Sequence, residues 1–132
     1  MKNFLLILSI FVFLSGCDLI SELFDSDKSN HTKALLLISQ QNYEEVIPIL
    51  EKIDDYQKYF NKDKTEGISA IYGVWIMSLT SQQKYPEAIK VINDMDQKYM
   101  NKDKNEAISS VCLVWKLQVL NKVNDSYNNL CK

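Results

Sequence analysis

Few side chains in this sequence have the type and spacing that chemistry requires. Its one histidine, His31, stands beside Thr32. Nucleophilic catalysis needs a base within hydrogen-bond reach of an activated hydroxyl or thiol, and a third group to orient that base. No cysteine or serine accompanies His31 in such an arrangement. The acidic residues come in close pairs, Glu44-Glu45, Asp54-Asp55 and Asp94/Asp96. They fall at predicted helix starts and ends and lack histidine neighbours, so they do not compose a metal-ligand set. Helix capping and solvation are the roles their positions predict. No glycine-rich phosphate loop occurs. The expectation is a chain that is not an enzyme, with no catalytic residue, cofactor or metal.

The cysteines are more telling. There are three, Cys17, Cys112 and Cys131. Cys17 follows Lys2 and an apolar run from Phe4 to Leu14, broken only by Ser9. That run is too short for a mature membrane span and has the layout of an export signal. Its end, Leu14-Ser15-Gly16-Cys17, resembles the lipobox of bacterial lipoproteins, where a small residue precedes an obligatory cysteine. The resemblance implies that the Cys17 thiol receives a diacylglyceryl group, that residues 1–16 are removed as a signal peptide, and that the new amine is acylated. Several acyl chains anchor far more durably than one, since each buried methylene adds roughly 0.8 kcal/mol. Asp18 resembles the signal that keeps enterobacterial lipoproteins in the inner membrane. The expected address is a bacterial cell membrane, lipid-anchored and facing the periplasm or cell exterior, with the inner membrane favoured.

Export places Cys112 and Cys131 in an oxidising compartment. A chain reversal around residues 121–124 would bring them together, and a bridge there would stabilise by roughly 3 kcal/mol. The alternative is a buried thiol at 112, where the preceding repeat has Tyr72, and a free thiol near the end.

Charge gives little away. The net charge is −2, and all fifteen positive charges are lysines. Without residues 1–16 the side chains carry 14 lysines against 17 acids, or −3. Nucleic acid requires a clustered basic face, so it is not an expected partner. Lys58, Lys62, Lys64, Lys98, Lys102 and Lys104 recur at equivalent places and form either a solvated edge or an edge facing anionic lipid. Interleaved Asp63, Glu66, Asp103 and Glu106 weaken the second reading. Tyr59 and Trp75 recur as Tyr99 and Trp115, a spacing that predicts core packing.

That recurrence sets the architecture. Residues 57–75 return as 97–115 with twelve of nineteen positions identical, and Ser39–Ile47 echoes in Ser81–Ile89. A period of 40–42 residues lies in the range of stacked helical hairpins. Gly and Pro are scarce, and apolar spacing is helical almost throughout, so the class is all-α. Residues 17–31 read as a lipidated N-terminus and flexible tether, and 32–132 as the repeat domain, in units of about 32–60, 61–100 and 101–132. The first helix starts at Thr32. Asn42 and Glu45 suggest a capping box for a second helix that carries Val46, Ile49, Leu50, Ile53 and Phe60; Pro48 should kink it, or else the regular helix starts later. Asn61 should end it in the left-handed conformation. Asp63 and Glu66, then Asp103 and Glu106, start the third and fifth helices. The third presents Ile68, Ile71, Tyr72, Trp75, Ile76 and Leu79. The fourth starts at Pro86 and buries Ala88, Ile92, Met95 and Tyr99. The fifth buries Ile108, Val111, Cys112, Trp115 and Val119, and residues 126–132 make a stub.

Tyr72, Trp75, Leu79, Ala88, Ile92 and Met95 fall at packing positions resembling those of the tetratricopeptide repeat, and Lys84–Ile89 is similar to its hairpin junction. The resemblance implies a short right-handed array of antiparallel helical hairpins, an α-solenoid of about five helices plus the C-terminal stub. Its first helices, roughly residues 34–38, 70–80 and 110–120, would line a concave surface. Ile76 at the family's small position, and a period longer than 34 residues, depart from the pattern. By similarity to tetratricopeptide lipoproteins, the expected role is a protein–protein interaction module or adaptor in the cell envelope. Immunity or inhibition against a toxin is a narrower version. The other class is a self-associating structural lipoprotein, a homodimer built on the helix face left open by the unfinished third unit.

Overall fold

The computed structural model describes residues 25–100, 103–118 and 125–131, and all its regular elements are helical. The expected signal peptide at residues 1–16, Cys17 and most of the expected tether lie outside the described residues, as does Val119. Seven α-helices appear among the described residues: α1 (Ser26–Ser39), α2 (Tyr43–Glu51), α3 (Tyr56–Phe60), α4 (Lys64–Ser81), α5 (Tyr85–Asp94), α6 (Lys104–Gln118) and α7 (Asp125–Leu130). A 3-10 turn, Gln97–Tyr99, follows α5.

The two echoed turns work by the same hydrogen bonds. At the end of α1, the Gln41 N–H donates to the Ile38 carbonyl at 3.0 Å and the Asn42 N–H to Leu37 at 2.9 Å. At the end of α4, Gln83 donates to Thr80 and Lys84 to Leu79 at the same distances. This pair of bonds is the Schellman motif, which needs a left-handed residue at its pivot. Gln41 (φ 57°) and Gln83 (φ 62°) supply it without glycine. Each turn folds the chain back, so that α2 lies on α1 and α5 on α4. The capping box expected at Asn42 does not form, and its side chain makes no cap bond. The physical reason is that the Asn42 N–H, which Glu45 would have to reach, already closes α1.

Two expected helices are each divided. Pro48 is accommodated inside α2, which stops three residues later at Glu51. Asp55 then caps α3 by accepting from the Lys58 N–H at 3.3 Å. Ile53 points inward from the turn between them and is fully buried, which kept the helical spacing intact across a break. The fourth expected helix stops at Asp94, and Met95 turns extended (φ −64°, ψ 132°). Tyr99 reaches the core from the 3-10 turn instead.

The tether boundary also needs correction. Asp25–Asn30, expected to be flexible, includes the first turns of α1. Asp25 caps them, accepting from the N–H groups of Asp27 and Lys28 at 3.0 and 3.2 Å. Asp27 in turn accepts the Asp54 and Asp55 N–H groups at 3.1 and 2.8 Å, tying α1 to the turn after α2. No apolar periodicity marks these residues; polar contacts hold them.

Two apolar clusters meet at α4. Ile68, Ile71, Tyr72 and Trp75 pack with α1, α2 and α3, around Leu50 and Ile53. Ile76 and Leu79 pack with α5 and α6, around Ile89, Ile92 and Trp115. Cys112 and Cys131 are joined, with Cα atoms 5.7 Å apart, so the bridge ties α6 to the chain just after α7. Trp115 stacks on Tyr85 at 5.2 Å and meets the edge of Tyr127 at 5.3 Å beside that bridge.

Candidate interaction surface

Three of the residues weighed for chemistry, His31, Asp55 and Asp96, have contacts that serve the fold. His31 lies on α1 with its ring 5.2 Å from Tyr59 and 4.9 Å from Phe60. Asp55 caps α3, and Asp96 caps the 3-10 turn through the Lys98 N–H. Among the described residues, no three of His, Cys, Asp and Glu converge as a metal site would require.

The repeated lysines are stitches as well as solvated charges. Lys64 Nζ donates to the Glu51 carbonyl at the end of α2, at 3.2 Å. One repeat later Lys104 Nζ donates to the Asn93 carbonyl near the end of α5, at 2.8 Å. Each satisfies a carbonyl that the helix end leaves without a partner. Lys58 and Lys98 sit over the rings of Tyr59 and Tyr99, at 5.1 and 4.6 Å. The Tyr59 hydroxyl donates to Asp25 at 2.6 Å and the Tyr99 hydroxyl to Glu51 at 2.7 Å. That bond to Tyr59, followed by the backbone of Lys28, holds the Asp25 carboxyl below its ordinary value of 3.8. Burial, then the bond to Glu51, pushes the Tyr99 hydroxyl up.

Trp75 and Trp115 share a repeat position but not an environment. Trp115 is buried beneath Tyr85 and Tyr127, whereas Trp75 is only half-buried. Tyr127 of α7, beside the bridge, meets Trp115 edge-on and adds to its cover.

What remains without an internal role is apolar surface. A helix with apolar residues all round its circumference is normally buried all round. Both α4 and α6 carry such residues on a second face that no other helix among the described residues covers. Met77 is 73% exposed, Leu117 62%, Leu113 59% and Val74 48%. Between these two helices runs a groove of about 690 Å³, whose walls include Gly73, Met77, Ala107, Ser110 and Val114 over a floor of Ile92. No charged side chain lines it. Leu35, Met77 and Leu117 occupy one repeat position, by the 42- and 40-residue spacings of the two echoes, and all three are exposed. The sequence reading placed the surface on these three helices but did not single out the side chains. The available signal was Val74, Met77, Leu113 and Leu117 lying off the buried stripe.

No family model matches the chain, and no curated protein or solved structure matches it. Its surfaces therefore have to be read from their own chemistry.

Proposed function

We propose that the protein is a membrane-anchored lipoprotein that acts as a protein–protein interaction module in the bacterial cell envelope. The observation that carries this reading is the exposed apolar surface of α4 and α6, where Met77 lines an uncharged groove and Leu117 stands exposed at the same repeat position on α6. Exposed apolar patches rimmed by polar residues mark interaction sites. Leaving aside the five-residue α3, the longer helices contact mainly the next in sequence, α1 with α2, α2 with α4, α4 with α5 and α5 with α6. That pattern supports a short tetratricopeptide-like array in which α1, α4 and α6 are the first helices of successive units. The anchor rests on the Leu14–Cys17 motif, and the bridge between Cys112 and Cys131 is consistent with an exported chain. No helix among the described residues is long and apolar enough to cross a membrane; the attachment proposed is through acyl chains on Cys17.

The decisive experiment has two arms. Cys17→Ala should abolish incorporation of a palmitate analogue and release the protein from membranes. Met77→Asp combined with Leu117→Asp, with helicity unchanged by circular dichroism, should lose the partner that the wild-type chain captures from envelope extracts. Retention of every captured partner would sink the surface assignment; labelling that survives Cys17→Ala would sink the anchor. A second reading, self-association through the same face, is favoured by the exposure of two leucines, Leu113 and Leu117, on the single helix α6. Light scattering separates the two, because a dimer that dissociates on Leu117→Asp identifies a second copy as the partner.

A further inference from the structure

The opposite side of α4 faces a second groove with different chemistry. It opens between α2 and α5, encloses about 500 Å³ and has the rings of Tyr72 and Trp75 in its wall. Around them stand Glu44 on α2 and Glu87, Lys90 and Asp94 on α5, three acids against one base. Lys90 is committed to Asp94, one turn along its own helix. Asp94, by hydrogen bond and by charge, holds the Lys90 amine above its ordinary value, and Glu44 adds to that push from across the groove. Neither Glu44 nor Glu87 makes an ion pair or hydrogen bond among the described residues.

First-turn acids such as Glu44 and Glu87 suit the helix dipole, but Asp94 ends α5, where the dipole disfavours a carboxylate. The rim is thus more acidic than helix ends alone require. Trp75 is half-buried, and Tyr72 and Tyr43 lie 6.3 and 6.5 Å from it. Aromatic faces and carboxylates both attract a cation, and the apolar wall rewards neighbours that carry no charge.

We propose that this groove receives an arginine or lysine side chain, flanked by apolar residues, from a segment of a partner protein. The inference rests on the reading of the chain as an interaction module, but it uses a face distinct from that of Met77 and Leu117.

The test uses the full chain in an uncharged detergent and a fluorescein-labelled, end-blocked peptide, Leu-Arg-Leu-Arg-Leu. Its citrulline counterpart keeps the shape and removes the charge. Fluorescence anisotropy should show the arginine peptide binding about tenfold more tightly than the citrulline one. Each exposed carboxylate contributes up to about fivefold, so Glu44→Gln with Glu87→Gln should erase that preference. Lys90→Met, which removes the competing internal cation, should tighten binding a few-fold. Equal affinity for the two peptides overturns the proposal, as does binding unchanged in the Glu44→Gln/Glu87→Gln variant. Loss of binding in Met77→Asp, with the Glu44→Gln/Glu87→Gln variant still binding, would place the peptide on the other groove. That result also overturns it while leaving the interaction-module reading intact.

Discussion

Replacing Gly67 by alanine pits two known effects against each other, and the structure decides the sign. Gly67 lies in the first turn of α4, where alanine is ordinarily the better helix former by about 1 kcal/mol. A Cβ built there would approach Tyr56 Cε1 at 2.6 Å and Cζ at 2.7 Å, with the hydroxyl oxygen nearer still. Carbon atoms rest at about 3.5–4.0 Å, so the ring must withdraw by roughly 1 Å. It has little room to do so. Tyr56 is 4% exposed and stacks on Phe60 at 4.5 Å. Overpacking of this kind costs about 1–3 kcal/mol, which outweighs the propensity gain. The repeat supplies a natural control, because Ala107 occupies the same position and Asp96 stands where Tyr56 does in the earlier unit. Gly67→Ala should therefore destabilise by up to about 2 kcal/mol in urea unfolding followed by circular dichroism. In a Tyr56→Leu background the same substitution should be neutral or stabilising, giving a coupling of at least about 1 kcal/mol between the sites. A Gly67→Ala protein more stable than wild type would show that Tyr56 does not hold α3 against α4 in this way.

Other outcomes follow from features already described. Cys112→Ala with Cys131→Ala, or reduction, should lower stability by about 3 kcal/mol for a loop of this size, read from thermal melts; an unchanged melt would mean that α7 needs no staple. Gln41→Gly and Gln83→Gly should each stabilise by about 1 kcal/mol, because a side chain in the left-handed region is disfavoured by roughly that amount. Gln82→Gly, one residue before the pivot at φ −81°, is the destabilising control. Asp25 titrates below its ordinary value in the folded protein, so its cap supports α1 above pH 3.8 and fails as the pH falls through the lowered value. Hydrogen exchange of the amides of residues 26–30 should accelerate there, and Asp25→Asn should flatten that dependence.

Much of this was legible in the sequence because the repeat compares the chain with itself. Asn61 does end its helix left-handed, at φ 53°. Asp63 does cap α4, accepting from Thr65 and Glu66 at 2.8 and 3.2 Å. The packed stripes of α4, α5 and α6 follow from spacing alone, although on α4 only Ile68 is fully buried and its other members are half-buried against the two clusters. The start of α1 did not, since Asp25 and Asp27 act through partners about thirty residues away. The breaks after Glu51 and Asp94 were hidden by the same cause: Ile53, Met95 and Tyr99 stay in register with the core while the backbone leaves the helix. Neither groove was predicted, because each is a space between helices and the local pattern describes only one helix at a time.

In Asn61-Lys62-Asp63-Lys64, the first residue stops one helix, the third starts the next, and Lys64 reaches back to fasten the end of the helix before. Asp103 and Lys104 repeat the starting and fastening steps. Each joint thus travels with its own hardware in four consecutive residues. A gene duplicated from one joint to the next would splice in a forty-residue block that arrives ready to connect, so growth by copying demands no new invention at the seams.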